Sequence, residues 1–433
     1  MKMEIFKELH FIEDLHIVGG FVRDMVMGIT PHDMDLASPS PPSTIIELCD
    51  MHDIKTIPTG IEHGTVTMII DGKHYEHTTY RKDVSTDGRN ATVEFAKAIE
   101  EDLSRRDFTM NAMALNSKEE IIDPFDGQND IKNGIIRTVG DAEVRFKEDY
   151  LRIIRAARFA ASFNFKVTDE ITLAMHKLQS GILEHVSIER IVMEFNKVFN
   201  DTKRFFSRLF LIRLFSIGFL YEFLPELKGA DKIMQNPRWH PELDVLSHII
   251  DVVGKAPSHL KWHALLHDVG KIPTAEPSNK GPWSHFRGHD VVGAELVANI
   301  TKRLKFPGSL QDSVYEITRL HMTPKDLEES KKKSKFGKFQ YDAGMYLSLL
   351  EEFSKLDSFR EEDVPTKAFK DYGRITNVIL GSDLFKAFPE LKEGKYIGEL
   401  VSFSHTLQLN TGIVDKDRLL EHIKNKIEKD KNA

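Results

Sequence analysis

Leu15-His-Ile-Val-Gly-Gly-Phe-Val-Arg-Asp24, followed shortly by His32-Asp-Met-Asp-Leu36, is the stretch that decides the fold. Leu15 to Gly20 reads as a short strand running into a glycine turn, and Phe21 to Met27 as a helix. Paired glycines after a strand let backbone N–H groups approach a phosphate, and the helix N-terminus behind them favours an anion. Asp33 and Asp35 are two residues apart, so on an extended segment both carboxylates point to one side. Such a pair suits Mg²⁺, a hard cation that takes carboxylate and phosphate oxygens. Taken singly, each half is weak: Gly-Gly also marks plain turns, and Asp-x-Asp is more often a loop decoration.

Outward from this stretch, residues 1–140 mix strand and helix signals. Thr65 to Tyr80 reads as a strand pair around Asp71-Gly72, a strong hairpin dipeptide. Pro39-Ser-Pro-Pro42 marks a loop. From Glu148 to Phe223 apolar residues recur at three- and four-residue spacing, as packed amphipathic helices require. A break follows at Gln235-Asn-Pro-Arg-Trp-His-Pro241, then more helical sequence to about Phe359, and a helical tail with a polar end. The expected divisions are 1–140, 141–225, 226–365 and 366–433.

The 433-residue chain has a single cysteine, Cys49, which excludes an intrachain disulfide and fits a reducing compartment. No apolar run approaches the roughly 20 residues that span a bilayer, and the first ten residues lack a secretory pattern. A cytoplasmic protein with no membrane partner is expected. The net charge of −8 argues at first against nucleic acid, but phosphate binding depends on local potential. Lys203, Arg204, Arg208 and Arg213 form one basic strip, readable as an RNA-facing surface or as a solvated helix face. The Lys331 to Lys338 run reads as an exposed loop.

The motifs in order carry a resemblance that no single one does. Gly-Gly with Arg23-Asp24, then Asp33-x-Asp35, then Arg105-Arg-Asp-Phe-Thr-Met-Asn111 resembles the class II tRNA nucleotidyltransferase and poly(A) polymerase family. Thr78-Thr-Tyr-Arg-Lys-Asp83 with Asp87-Gly-Arg89 looks like that family's strand and flexible loop. Asp123-Pro-Phe-Asp-Gly127 with Arg137-Thr-Val-Gly140 looks like its third motif. Glu148-Asp-Tyr-Leu-Arg152 matches its nucleobase-recognition motif, and Arg190-Ile-Val-Met-Glu194 its Arg-x-x-x-Glu motif. The resemblance implies an α+β fold: a polymerase-β-like nucleotidyltransferase head with a small mixed sheet and helices (1–140), then an all-α neck and body (141–225).

It implies residue roles as well. Asp33 and Asp35 would be catalytic and hold Mg²⁺, in a displacement assisted by two ions. Gly19, Gly20, Arg23, Arg106, Asp107, Asn111, Arg155 and Arg158 would contact the nucleotide, Arg106 and Asp107 at its sugar and phosphates. Asp149 and Arg152, three apart on a helix and so on one face, would present acceptors and donors that imitate a base edge. Without the other motifs they would read as a surface ion pair. Arg190 and Glu194 would orient the incoming nucleotide and the recognition face, or merely brace a helix as an i,i+4 pair. Glu76 could be a third carboxylate near the metals, but strand-surface charge is the preferred reading.

From Trp239 onward metal-ligand types gather: His240, His248, His263, His267-Asp268, His285, His289 and His321. Ala264-Leu-Leu-His-Asp-Val-Gly-Lys271 resembles the HD phosphohydrolase signature, where adjacent His and Asp can share one ion. His248 would be the first ligand, and Asp357 the acid that closes the set. His289 and His321 would suit a second ion, or be structural histidines. Trp239-His-Pro-Glu-Leu-Asp244 and the residues after it resemble bacterial CCA-adding enzymes with a C-terminal HD domain. The resemblance implies phosphatase, 2′-nucleotidase and 2′,3′-cyclic phosphodiesterase activities at this second, all-α site. Mixed N/O ligation admits Mn²⁺, Ni²⁺, Co²⁺ or Fe²⁺.

The resulting expectation is an enzyme that adds CCA to tRNA from CTP and ATP, as a monomer or homodimer. The alternatives are a poly(A) polymerase, an enzyme adding only CC or only A, and an HD hydrolase with an RNA-binding head. The intact recognition motif and the Arg81–Arg89 loop favour full CCA addition, although Ser85-Thr86 stand where the family is often aromatic.

Overall fold

The computed structural model describes residues 2–31, 33–58, 60–86, 91–201, 204–322, 346–357, 378–392, 394–411 and 415–431. The Lys331 to Lys338 run, Asp87 to Arg89, His32 and Lys203 lie outside the described residues. The chain divides into two compact units, Met1–Pro225 and Glu226–Ala433.

The first unit opens with α1 (Lys2–Glu8), β1 (His16–Val18), α2 (Gly20–Val26), β2 (Asp35–Ser38) and α3 (Pro42–Met51). It continues through β3 (Lys55–Ile57), β4 (Thr65–Ile70), β5 (Lys73–Thr79), β6 (Arg81–Thr86) and β7 (Ala91–Phe95) to α4 (Ile99–Ser104). Then come β8 (Ala114–Leu115), β9 (Ile121–Ile122) and α5 (Gly127–Asn133). Seven strands form one sheet in the order β3-β4-β5-β2-β1-β8-β9. Within it β2 and β5 run parallel, while the other neighbours are antiparallel. Asp71 (φ 51°) and Gly72 (φ 73°) both adopt left-handed backbone, the geometry a two-residue hairpin turn between β4 and β5 demands.

Apolar cores lie against both faces of the sheet. Ile17, Leu36, Val66, Met68 and Leu115 enter a core with Leu9 and Ile45 on one side. Val18, Ala37 and Ala114, one register step away, enter a second core with Tyr80, Ile99 and Leu103. Asp35 is two residues before Ala37 and therefore belongs to the face that carries α4.

The body is helical: α6 (Ala142–Glu148), α7 (Leu151–Ser162), α8 (Asp169–Leu178), α9 (Ile182–His185), α10 (Ile188–Phe199), α11 (Arg204–Ser216) and α12 (Phe219–Phe223). Side chains cap two of them, Asp141 accepting from Val144 N at 2.9 Å and Thr168 from Ile171 N at 3.4 Å. A two-residue parallel ladder, Ile135–Ile136 with Lys166–Val167, interrupts the expected all-helical pattern. Phe195 anchors the body core, its ring 4.9 Å from that of Phe210 and 4.8 Å from that of Phe223.

The second unit carries α13 (Val245–Lys255), α14 (Lys261–Leu266), α15 (His289–Arg303), α16 (Gly308–Leu320) and α17 (Leu347–Leu356). Three further helices, α18 (Gly381–Ala387), α19 (Lys395–Thr411) and α20 (Lys416–Lys431), share an apolar core of Ile379, Leu384, Leu400, Leu419, Ile423 and Ile427. No helix among the described residues is long and apolar enough to cross a membrane.

Candidate active sites

A cleft of about 450 Å³ opens in the first unit between the sheet edge and the start of the helical body. Asp35 leads into its wall at the first position of β2, with Val18 opposite on β1 and Glu76 opposite on β5. Parallel pairing puts the Asp35 and Glu76 side chains on the same face, and both line the cleft. Asp33 is exposed just before the strand. Burial pushes the Asp35 carboxyl up, against the pull of Arg106, and the charges of Glu76 and Asp33 push the same way. Asp35 and Glu76 line the cleft while Asp33 does not, and carboxylates are the ligand type that a hard divalent cation takes. Glu76 is exposed on β5, as a strand-surface charge is, and it also lines the cleft; only the β2–β5 pairing reveals that it shares a face with Asp35.

Gly19, Gly20 and Arg23 form the adjoining wall. Gly19 takes φ 72°, a left-handed backbone that favours glycine, and a Cβ there would lie 2.7 Å from the movable Arg106 Nη1. Arg105 and Arg106 both grip buried Asp102, one per carboxylate oxygen, at 2.8 Å and 3.0 Å. Burial alone would raise the Asp102 pKa; the two guanidiniums hold it below its ordinary value. Asp102 was missed from the sequence, although acid at i with arginines at i+3 and i+4 is a helical pairing signal.

Asp107 is a hub rather than an open contact. Its Oδ1 accepts from Phe108 N and Asn111 Nδ2, both at 2.9 Å, and its Oδ2 from Arg155 Nε at 2.7 Å. Asn111 in turn accepts from Arg23 at 2.9 Å. Burial would raise the Asp107 carboxyl, yet Arg155 and Asn111 hold it down to about 2. Phe159 also lines the cleft, its ring faced by Arg158 at 3.9 Å and by Arg23 and Arg155 at 5.3 Å. Cation–π contact lets these like charges sit together.

Asp149 and Arg152 both face the cleft, but not as a pair on one helix. Asp149 ends α6 with extended backbone (φ −152°, ψ 105°), and α7 begins only at Leu151. Arg152 binds Glu148 at 2.7 Å and the Arg105 carbonyl at 2.9 Å. Asp149 instead accepts from Arg190 at 2.8 Å and from Leu151 N at 3.1 Å. Nor do Arg190 and Glu194 pair along α10. Glu194, buried, binds Arg158 at 2.5 Å and Lys197 at 2.8 Å. Arg158, Arg190 and Glu194 thus stand behind the cleft wall and tie α7, or the residue before it, to α10. In the basic strip Arg208 is exposed, while Arg213 donates to the Phe165 carbonyl at 3.2 Å.

The second unit assembles its own cluster. Asp244 caps α13 by accepting from Ser247 N at 2.8 Å and sets His248 one turn in. His267 ends α14, Asp268 follows it, and Asp357 ends α17. One ligand atom from each of His248, His267, Asp268 and Asp357 falls within 4.8 Å of the others, all four residues buried. Asp268, His289 and His321 form a second such group. Asp268 Oδ2 lies 3.1 Å from His267 Nε2, and its Oδ1 3.4 Å from His289 Nε2 and 3.6 Å from His321 Nε2.

In His267, His289 and His321 the Nδ1 is within 2.7–2.9 Å of a backbone carbonyl, which sets the tautomer and turns Nε2 inward. His267 Nε2 and both Asp268 oxygens are buried without a hydrogen bond of acceptable geometry. Lys271 Nζ lies 2.6 Å from Asp268 Oδ2, and the imidazole and carboxylate atoms gathered beside it fit a divalent metal. Gly270 makes the approach possible, since a Cβ there would lie 1.9 Å from the His289 carbonyl oxygen. A third group, His240, Glu242 and His248, adjoins the site and was not singled out from the sequence as a set. His263 stays outside all three groups, its Nε2 3.0 Å from Ser313 Oγ.

Sheet, cleft and buried His/Asp cluster define a nucleotidyltransferase head followed by an HD domain. Residues 15–137 match the Poly A polymerase head domain, 164–231 the probable RNA and SrmB-binding site of polymerase A, and 243–357 the HD domain. The chain is 31% identical over 398 residues to the CCA-adding enzyme of Streptococcus mutans, covering 90% of this chain and 87% of that one. It is 44% identical over 198 residues to that of Ligilactobacillus salivarius, just under half of either chain. The crystal structure of the Bacillus stearothermophilus CCA-adding enzyme with CTP superposes with a TM-score of 0.68 at 25% identity, covering 100% of this chain and 98% of that one. The chain belongs to the CCA-adding enzymes.

Proposed function

We propose that this chain adds C, C and A to the 3′ end of tRNA from CTP and ATP without a nucleic-acid template. The observation that carries it is the single cleft holding Asp35 and Glu76 on one wall and Asp149 and Arg152 on the other. The tRNA 3′-oxygen forms a bond to the α-phosphorus, the bond to the β-phosphate bridge breaks, and pyrophosphate leaves. Gly19, Gly20 and Arg23 hold the triphosphate, with Arg106, Asn111 and Arg155 beside them. Asp149 offers acceptors and Arg152 donors to the base edge, which selects C and then A. Asp107, Arg158, Arg190 and Glu194 position these groups. Mg²⁺ on Asp33 and Asp35 supplies positive charge that eases ionisation of the hydroxyl and offsets charge on the departing pyrophosphate.

The second site is a phosphohydrolase acting on phosphomonoesters, 2′-nucleotides and 2′,3′-cyclic phosphates. His248, His267, Asp268 and Asp357 hold one divalent ion, and His289 and His321 with Asp268 a second. The donor set admits Mn²⁺, Ni²⁺, Co²⁺ or Fe²⁺, which supplies Lewis-acid polarisation of the phosphate.

The deciding experiment supplies CTP, ATP or both to tRNAs ending before CCA, after C and after CC, and sequences the products. Growth that stops after CCA is expected. Long A tails would move the chain to the poly(A) polymerases, and arrest at CC would mean that the Arg81–Arg89 loop lacks the switch. Asp33→Ala should abolish addition and spare the hydrolase, and His267→Ala should do the reverse. Loss of both activities in either folded variant would count against two independent sites.

A further inference from the structure

We infer that Tyr150, His185 and Gly181 form a positioning lock for the Asp149–Arg152 reader, so that nucleotide choice depends on a stack outside the cleft. The inference rests on the proposed base-reading role of Asp149 and Arg152.

The need for a lock comes from the backbone. Asp149 is extended, outside both helices, and in place of a full helical ladder a one-turn backbone bond from Arg152 N to its carbonyl, at 3.0 Å, joins it to α7. Two ties hold its carboxylate, from Arg190 and from Leu151 N. Neither tie fixes the direction in which α7 leaves the joint, and that direction aims Arg152. Tyr150 is the residue at which the chain turns helical (φ −60°, ψ −21°), and it separates the two readers.

Its ring is held on two sides. The His185 imidazole stacks on it with ring centroids 4.4 Å apart and planes 17° from parallel. On another side Gly181 comes so close that a Cβ would lie 2.5 Å from Tyr150 Cε1, closer than side chains tolerate. Gly181 takes an ordinary φ of −78°, so space rather than backbone freedom requires glycine there. A tyrosine has two side-chain torsions, and a ring fixed on two sides fixes its own Cα. None of the three residues lines the cleft. The stack therefore reaches the nucleotide only through the joint.

The test uses the full chain as His185→Ala, His185→Phe and Gly181→Ala, with Arg152→Ala as the control. Competing CTP and ATP at primers ending before CCA and after CC gives the ratio of kcat/KM values at each step. Aromatic stacking energies set the expected change: His185→Ala and Gly181→Ala lower that ratio about 2- to 12-fold. The change should appear in KM of the favoured nucleotide more than in kcat. His185→Phe, which can still stack, should restore the ratio. Equal slowing with both nucleotides, an unchanged ratio, or no rescue by phenylalanine would overturn the lock. If Arg152→Ala also keeps its selection, the base-reading role itself fails. If Arg152→Ala loses selection while the other variants keep it, only the lock fails.

Discussion

Asp107→Asn removes one charge and almost no volume, and it tests whether the hub carries the cleft. A carboxyl lowered from the ordinary 3.8 to about 2 draws about 2.4 kcal/mol from its partners at neutral pH. This contribution is present above 3.8 and is lost as pH falls through about 2. In the variant one oxygen still serves Phe108 N and Asn111, but an amide NH₂ turns toward Arg155, donor against donor. Arg155 keeps the Glu194 carboxylate, at 3.8 Å, and the Phe159 ring. For a unit of this size each kcal/mol moves the melting midpoint by roughly 2–4 °C, so a fall of about 5–10 °C is expected. Thermal melts should resolve it as a shift of the first unit's transition, with the second unit unmoved. A double-mutant cycle with Arg155→Gln isolates the pair and should give a coupling of about 1–3 kcal/mol. A midpoint within 1 °C of the parent, or a coupling under about 0.5 kcal/mol, would refute the hub.

Three further outcomes are expected. Arg190→Ala frees the Asp149 carboxylate and should reduce discrimination between CTP and ATP about 10-fold in competition assays, since a charge-assisted hydrogen bond is worth about 1.5–3 kcal/mol. His77, buried with Nε2 2.8 Å from Ser38 Oγ, has its pKa pushed down by burial to about 4. The neutral ring belongs to the folded state, so stability is full above about 6.5 and falls as pH drops toward 4. The loss should reach about 2 kcal/mol at pH 5 in unfolding measurements, and His77→Gln should flatten that slope. Gly270→Ala pushes α15 away from the His267-Asp268 turn and should cost about 1–3 kcal/mol in the second unit, read as an earlier second melting transition. CCA addition by that variant should continue at the parent rate.

What the sequence made legible, and what it did not, divides along a physical line. Local signals translated directly: the Asp71-Gly72 hairpin, the helices with apolar spacing, and His267-Asp268 at a helix end. Pairings between segments did not. Spacing of three or four residues suggested Asp149 with Arg152 and Arg190 with Glu194; Arg152 does take a carboxylate four residues back, but it is Glu148, while Asp149 takes Arg190 and Glu194 takes Arg158 from distant segments. A buried arginine takes whichever carboxylate the packing brings, and sequence distance says nothing about that. Glu76 shows the same limit in a sheet. Alternation along β5 defines two faces, and only its parallel partner β2 decides which one meets Asp35. Asp357 could be named because an HD site needs an acid to close it, although 109 residues separate it from His248.

The arginines in and behind the cleft wall were described above one by one, each on a carboxylate: Arg105 and Arg106 on Asp102, Arg152 on Glu148, Arg155 on Asp107, and Arg158, behind the wall, on Glu194. Taken together they make a wall whose cations are largely offset by carboxylates, with Arg105 and Arg106 sharing one. Such a surface does not attract polyanions through excess charge, in keeping with a net charge of −8. A triphosphate bound as proposed would meet donors already fixed in place, so little ordering would be left to do on binding. Ionic strength then screens this grip less than it screens a loose basic patch of equal arginine count.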